Sequence, residues 1–238
     1  MSDSYPQVFV TATTEKPSIF ASDSWITIPF SVYPKSTFDK LVDILLQLPG
    51  CSASLNQMKA LEIQNPRKSE SIKTELRERV MLLVSRLDDW WQEYEEGSFS
   101  ENDKGSIFQE IPSHKHSGAA HSNISTSPMT SLYHSANILA YRLLSLVSPP
   151  LNLYEQAIMS HSDHVLSAAK SLNSAGGQGA LLMVFPLKVL CAVARDEQQK
   201  ALGLEALEQL GKKRGLDGIC KRATPVYIQR YQRTASQT

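Results

Sequence analysis

Apolar side chains recur every three or four positions over most of the chain, the spacing that lines one face of an α-helix. The clearest run is Lys73 to Tyr94. There Leu76, Val80, Leu83, Val84, Leu87, Trp91 and Tyr94 share one face, and Glu75, Arg77, Glu78, Arg79 and Arg86 fill the other. An earlier helix begins after Ser36, with Asp39 three residues on in a capping-box arrangement and Phe38, Leu41, Val42, Leu45 and Leu48 at helical spacing. Pro49-Gly50 is expected to stop it. Leu132, Ala136, Leu139, Leu143 and Leu146 form a third stripe from Met129 to Pro149-Pro150. A fourth runs from Asn152 to Leu172 through Tyr154, Ala157, Ile158, His161, Val165 and Ala168. The link between these two is so short that they are predicted to form a helical hairpin, with the glycines of NSAGGQG closing the second helix.

Residues 180–194 are apolar on every side, as a helix surrounded by others would be, with Pro186 kinking or splitting it. This segment is expected to be the core element. Asp196 opens a helix through Leu202, Leu207 and Leu210, with Lys212, Lys213 and Arg214 at its negative end and Gly215 as the stop. A short last helix carries Ile219, Tyr227 and Tyr231. WITIPFSVYP, aromatic and β-branched among prolines, reads as an extended, partly buried strap. With no alternating strand and no repeat, the expected class is all-α, an irregular bundle of about seven helices over residues 25–233. Residues 1–24 read as a mobile lead-in, 97–128 as a flexible loop and 234–238 as a tail.

Composition narrows the class without naming a chemistry. The 238 residues hold 24 Lys+Arg against 24 Asp+Glu, and 42% are hydrophobic, enough for a sizeable core. The longest apolar stretch, Ala180 to Leu187, is far too short to cross a bilayer, and the N-terminus lacks the pattern of a secretory signal. An intracellular protein is expected. Cys51, Cys191 and Cys220 lie far apart without a CxxC spacing, which excludes a disulfide framework and a cysteine-based zinc module.

Candidate chemistry is sparse. His161 and His164 could present two imidazoles on one helix face beside Asp163, but two ligands make no metal site. His114, His116 and His121 fall in the expected loop, which offers no fixed geometry. Gly176 to Gly179 read GGQG, without the order of a phosphate-binding loop, and no GxSxG nucleophile elbow is present. Asp88, Asp89, Glu93, Glu95 and Glu96 surround Trp90 and Trp91 at a helix C-terminus, where the macrodipole disfavours them. Burial of the tryptophans, or a basic neighbour, has to offset that. From Leu210 onward seven basic residues (Lys212, Lys213, Arg214, Lys221, Arg222, Arg230 and Arg233) stand against Asp217 alone, with Tyr227 and Tyr231 among them. They are too dispersed for a compact nucleic-acid recognition helix. The sequence therefore points to no catalytic residue, no cofactor and no metal ligand, and to Trp90, Trp91, Phe185 and Leu187 as organisers of the core.

In order along the chain, PFSVYPKSTFDKLVDILLQLPG, LDDWWQEYEE, LYHSANILAYRLLSLVSP and GALLMVFPLKVLCAVARDEQQKALGLEALEQLGKKRGLDGIC resemble the C-terminal half of the regulatory region of fungal zinc-cluster transcription factors. That resemblance implies an all-helical regulatory domain and a nuclear location. The six-cysteine zinc cluster that reads DNA in that family has no counterpart in three scattered cysteines, so no DNA-contacting or zinc-binding residue carries over. The expected role is regulation of gene expression, as in a secondary-metabolite gene cluster, through protein partners: another transcription factor or a second copy. Two alternatives stay open: a fragment of a full-length zinc-cluster activator, or a helical enzyme or ligand carrier with a pocket around Phe185 and Cys191.

Overall fold

The structure is a computed structural model that describes residues 21–98, 128–148, 152–175 and 179–220, and the regular structure in these residues is helical throughout. The segment expected to be an extended strap coils instead, into a short helix α1 (Asp23–Thr27) and a 3-10 turn (Ile28–Phe30). It is partly buried, as expected, with Ile26 and Phe30 half-buried while Trp25, Ile28, Val32 and Tyr33 are exposed. Pro29 sits in the first turn of the 3-10 segment, where a missing N–H costs nothing, so proline here supports a coil.

Helix α2 (Thr37–Leu45) starts where the sequence places it. The Asp39 N–H donates to Ser36 Oγ at 3.2 Å and the Ser36 N–H donates to Asp39 Oδ2 at 3.0 Å, so the capping box closes in both directions. Pro49-Gly50 does not end this region. A further helix, α3 (Leu48–Leu61), follows Gln47 with Pro49 in its first turn, so a residue read as a terminator acts as an initiator. Cys51, Leu55 and Met58 are its buried stripe. Gly50 lies close under a neighbour: a Cβ there would lie 3.2 Å from a nitrogen of the exposed Arg79 guanidinium, which would have to shift by a few tenths of an ångström.

Helix α4 (Pro66–Ser98) extends the helix expected from Lys73 to Tyr94 at both ends. Asn65 Oδ1 accepts from the Lys68 N–H at 3.1 Å at its start, and Ser69 Oγ donates to Met58 O at 2.9 Å, closing the α3–α4 hairpin. Its 33 residues span about 50 Å. Near its end the Trp90 indole donates to Thr37 O at 2.7 Å, binding α4 to the start of α2.

Helices α5 (Pro128–Val147) and α6 (Asn152–Ala175) form the expected hairpin. Helix α7 (Ala180–Val193) is buried at all but Leu181 and Leu182 and runs through Pro186 as one helix. It shares the centre of the molecule with α5, which contacts α2, α3, α4, α6 and α7. Small residues explain why: Ser131, Ser135, Ala136 and Ala140 are all fully buried, so partners approach α5 from every side.

Helix α8 (Glu197–Arg214) follows the sequence reading at both ends, with Asp196 Oδ1 accepting from the Gln198 N–H at 2.9 Å and Gly215 left-handed at φ 67°. The last helix among the described residues, α9 (Asp217–Cys220), holds Ile219. The lead-in before residue 21, the loop histidines His114, His116 and His121, the glycines 176–178, Tyr227, Tyr231 and the basic residues from Lys221 onward lie outside the described residues.

Candidate functional site

The densest grouping of chemically capable side chains lies where α4, α5 and α6 meet. Trp90, Trp91 and Tyr94 come from the end of α4, Tyr133 and His134 from the start of α5, and His161 and His164 from the middle of α6. Trp91 stacks on Tyr133 with ring centroids 4.6 Å apart, and Trp90 stacks on Tyr94 at 5.1 Å. Burial of these rings stabilises a helix end that its own carboxylates disfavour, and the basic neighbour expected from the sequence is Lys40 of α2, paired with Glu93.

His161 and His164 sit one turn apart on α6, as their spacing implies, and the structure adds His134 from α5. His134 Nδ1 and His161 Nδ1 lie 2.8 Å apart, and the His134 ring is parallel to that of His164 at 4.4 Å. Two neutral imidazoles share such a bond only when one carries its proton on Nδ1. His134 Nε2 is buried without a hydrogen-bond partner, so the pairing that buries no unsatisfied N–H has His134 donating and a bare Nε2. Desolvation, reinforced by the neighbouring imidazoles, holds His134 down to about 2 and His161 to about 4, so both are neutral at pH 7. Burial likewise pushes the Tyr133 hydroxyl up to about 12. Stacked imidazoles direct their lone pairs along parallel planes, and among the described residues no group of three or more His, Cys, Asp or Glu is placed to hold a metal ion.

A second polar cluster lies at the opposite end of the hairpin. Arg142 of α5, only 3% exposed at its side chain, lies 3.6 Å from Glu155 of α6, which Arg195 approaches at 3.1 Å from beyond α7. A third feature is an open groove of about 500 Å³ between α6 and α8, lined by Met159, Asp163, Lys170 and Leu202 among others. Gln199 crosses from α8 beside it, donating to Asp163 Oδ1 at 2.7 Å and Met159 O at 3.2 Å. Asp163 thus serves the α6–α8 contact rather than the histidines. The groove also lies away from Phe185 and Cys191, which are buried on α7.

The expected core organisers are placed as the sequence implies: Trp90, Phe185 and Leu187 are buried, and Trp91 packs half-buried against the core. Buried Cys51 and Cys191 thiols are pushed up to about 11 by desolvation, which makes them poor nucleophiles. Among the described residues no helix is long and apolar enough to cross a membrane. Compared with known protein families, characterised proteins and solved structures, the chain matches none.

Proposed function

We propose that this chain is a non-enzymatic regulator of transcription that acts through protein partners, the role its resemblance to zinc-cluster regulatory regions implies, with a secondary-metabolite gene cluster as the kind of target. The observation that supports it is the surface segment from Trp25 to Tyr33. Within nine residues Trp25 is 50% exposed, Ile28 67%, Val32 77% and Tyr33 73%. Large apolar side chains grouped on a surface mark sites of association, and aromatic residues carry a large share of the binding energy where such surfaces meet. Function on this reading comes from buried surface, and the helical body serves to display it.

The test is to fuse the full chain to an unrelated DNA-binding domain and measure transcription from a reporter carrying that domain's site. The fusion is expected to change reporter output, and Trp25→Ala with Tyr33→Ala is expected to abolish the change without altering helical content. A reporter indifferent to the fusion, or a double variant as active as the parent, would refute the proposal.

A further inference from the structure

Charge runs the wrong way along α4 for an isolated helix. Its first half, Pro66 to Met81, carries five basic and three acidic residues, and its second half, Leu82 to Ser98, carries one basic and five acidic. No acid stands in its first turn and no base in its last, the reverse of what the helix dipole favours. At the boundary between the halves sit two apolar side chains exposed to solvent, Met81 at 55% and Leu82 at 61%.

Along the centre of the outward face this symmetry holds in four matched pairs, with the like-charged pairs Glu70 and Glu93, and Glu75 and Asp88, to either side of it. Arg67, Thr74, Glu78, Met81, Leu82, Ser85, Asp89 and Glu96 are all exposed and fall within roughly a third of the helix circumference, opposite the buried stripe of Leu76, Val80, Leu83, Leu87 and Trp90. Arg67 lies as far before the Met81–Leu82 bond as Glu96 lies after it. Thr74 and Asp89 are matched in the same way, as are Glu78 and Ser85. Three matched pairs are complementary as they stand, a cation with an anion, the Ser85 hydroxyl with the Glu78 carboxylate, and an apolar side chain with another at the centre; the Thr74 hydroxyl, which donates to Glu70 O at 3.1 Å, has to turn from that carbonyl to meet Asp89.

An isologous two-fold interface requires a surface complementary to itself after rotation, and a helix face whose residues match about its midpoint meets that condition only in the antiparallel sense. We infer that α4 is a self-association surface, on which a second copy of this chain docks antiparallel with Met81 and Leu82 on the two-fold axis. The basic half of each copy then lies along the acidic half of the other, and the two helix dipoles oppose. A strip about 45 Å long and 10 Å wide per copy gives about 900 Å² in total, at the small end of specific interfaces, so the dimer is weak, reversible and salt-sensitive. This deepens the partner-based reading of function by naming one partner.

Sedimentation velocity on the full chain tests it, from low to high micromolar protein. The mass is expected to rise from 26.4 kDa toward twice that in low salt and to fall back at about 1 M salt, where the Debye length is about 3 Å. Leu82→Glu is expected to weaken the dimer about a hundredfold by placing charge at the apolar centre. Its side chain is exposed in one copy, so thermal stability at low concentration serves as the folding control. Arg67→Glu is expected to weaken association and Arg67→Glu with Glu96→Arg to restore it. These positions are too far apart to meet within one copy, so rescue reports contact between copies. A chain that stays monomeric, that binds only some other protein through this face, or that dimerises with no response to Leu82→Glu or no rescue by the double reversal, overturns the inference. The reporter assay separates the two proposals: a silent fusion of a chain that dimerises as described removes the transcriptional reading and leaves the dimer standing.

Discussion

At His134 and His161, burial among aromatic rings and imidazoles makes folding sensitive to acid. Their folded values, about 2 and about 4, lie below the ordinary value of 6.5, so between these limits the unfolded chain binds protons that the folded chain refuses. The stability they allow is complete above about pH 6.5 and is lost as pH falls, each histidine costing about 1.4 kcal/mol per pH unit inside its window. Urea unfolding is expected to give a free energy about 4 kcal/mol lower at pH 5 than at pH 7, and His161→Gln is expected to flatten that dependence. A free energy unchanged between the two pH values would show that the imidazoles are solvated. The i, i+3 spacing of His161 and His164 was visible in the sequence. His134 was not, because it reaches the cluster across a hairpin from another helix, and no local spacing records a contact of that kind.

Helix by helix, what the sequence made legible was what single turns decide. The Ser36 capping box and the Asp196 and Gly215 caps are agreements between a side chain or a left-handed angle and nearby backbone, and each formed where expected. Ser36→Ala is therefore expected to cost about 1 kcal/mol in chemical denaturation. Reading failed where one residue type has two uses. Proline can end a helix or begin one, and at Pro49 the choice was made by burial of Cys51, Leu55 and Met58 against the rest of the bundle. Close approach between helices was equally hidden. A Cβ on Gly203 of α8 would lie 2.6 Å from Leu190 Cδ2 and 2.9 Å from Cys191 Sγ, so α8 rests directly on α7 at that point. Gly203→Val is expected to destabilise by about 1 to 3 kcal/mol through overpacking. A neutral or stabilising change would mean that the two helices can separate without loss.

Across the whole molecule, the sequence conveyed the all-α class and the burial of α7, because an apolar run without a polar face has only one place to go. It did not convey that α5 shares the centre, since a helix with Ser, Ala, His and Asn set among its leucines looks amphipathic until its neighbours close around it. With α5 touching five other helices, disruption of one contact spreads to the rest. Near-ultraviolet signals from Trp90 and Trp91 and the far-ultraviolet helical signal are expected to follow one denaturation curve, and separate midpoints would show that the two ends of the chain melt independently. Phe185→Ala, at a side chain 4% exposed on α7, is expected to cost about 3 to 5 kcal/mol in that transition, and a change under about 1 kcal/mol would contradict its central placement.

The buried thiols turn this architecture into a clock. Cys51 lies in α3 and Cys191 in α7, two helices that each pack against α5, and each thiol is screened from solvent and held protonated. A maleimide or disulfide reagent can reach either one only when its surroundings open, so the rate of labelling at each sulfur measures the free energy of the opening that exposes it. Equal rates would mean that the bundle breathes as one body. Unequal rates would order its parts by how often they come apart, using residues the protein already carries.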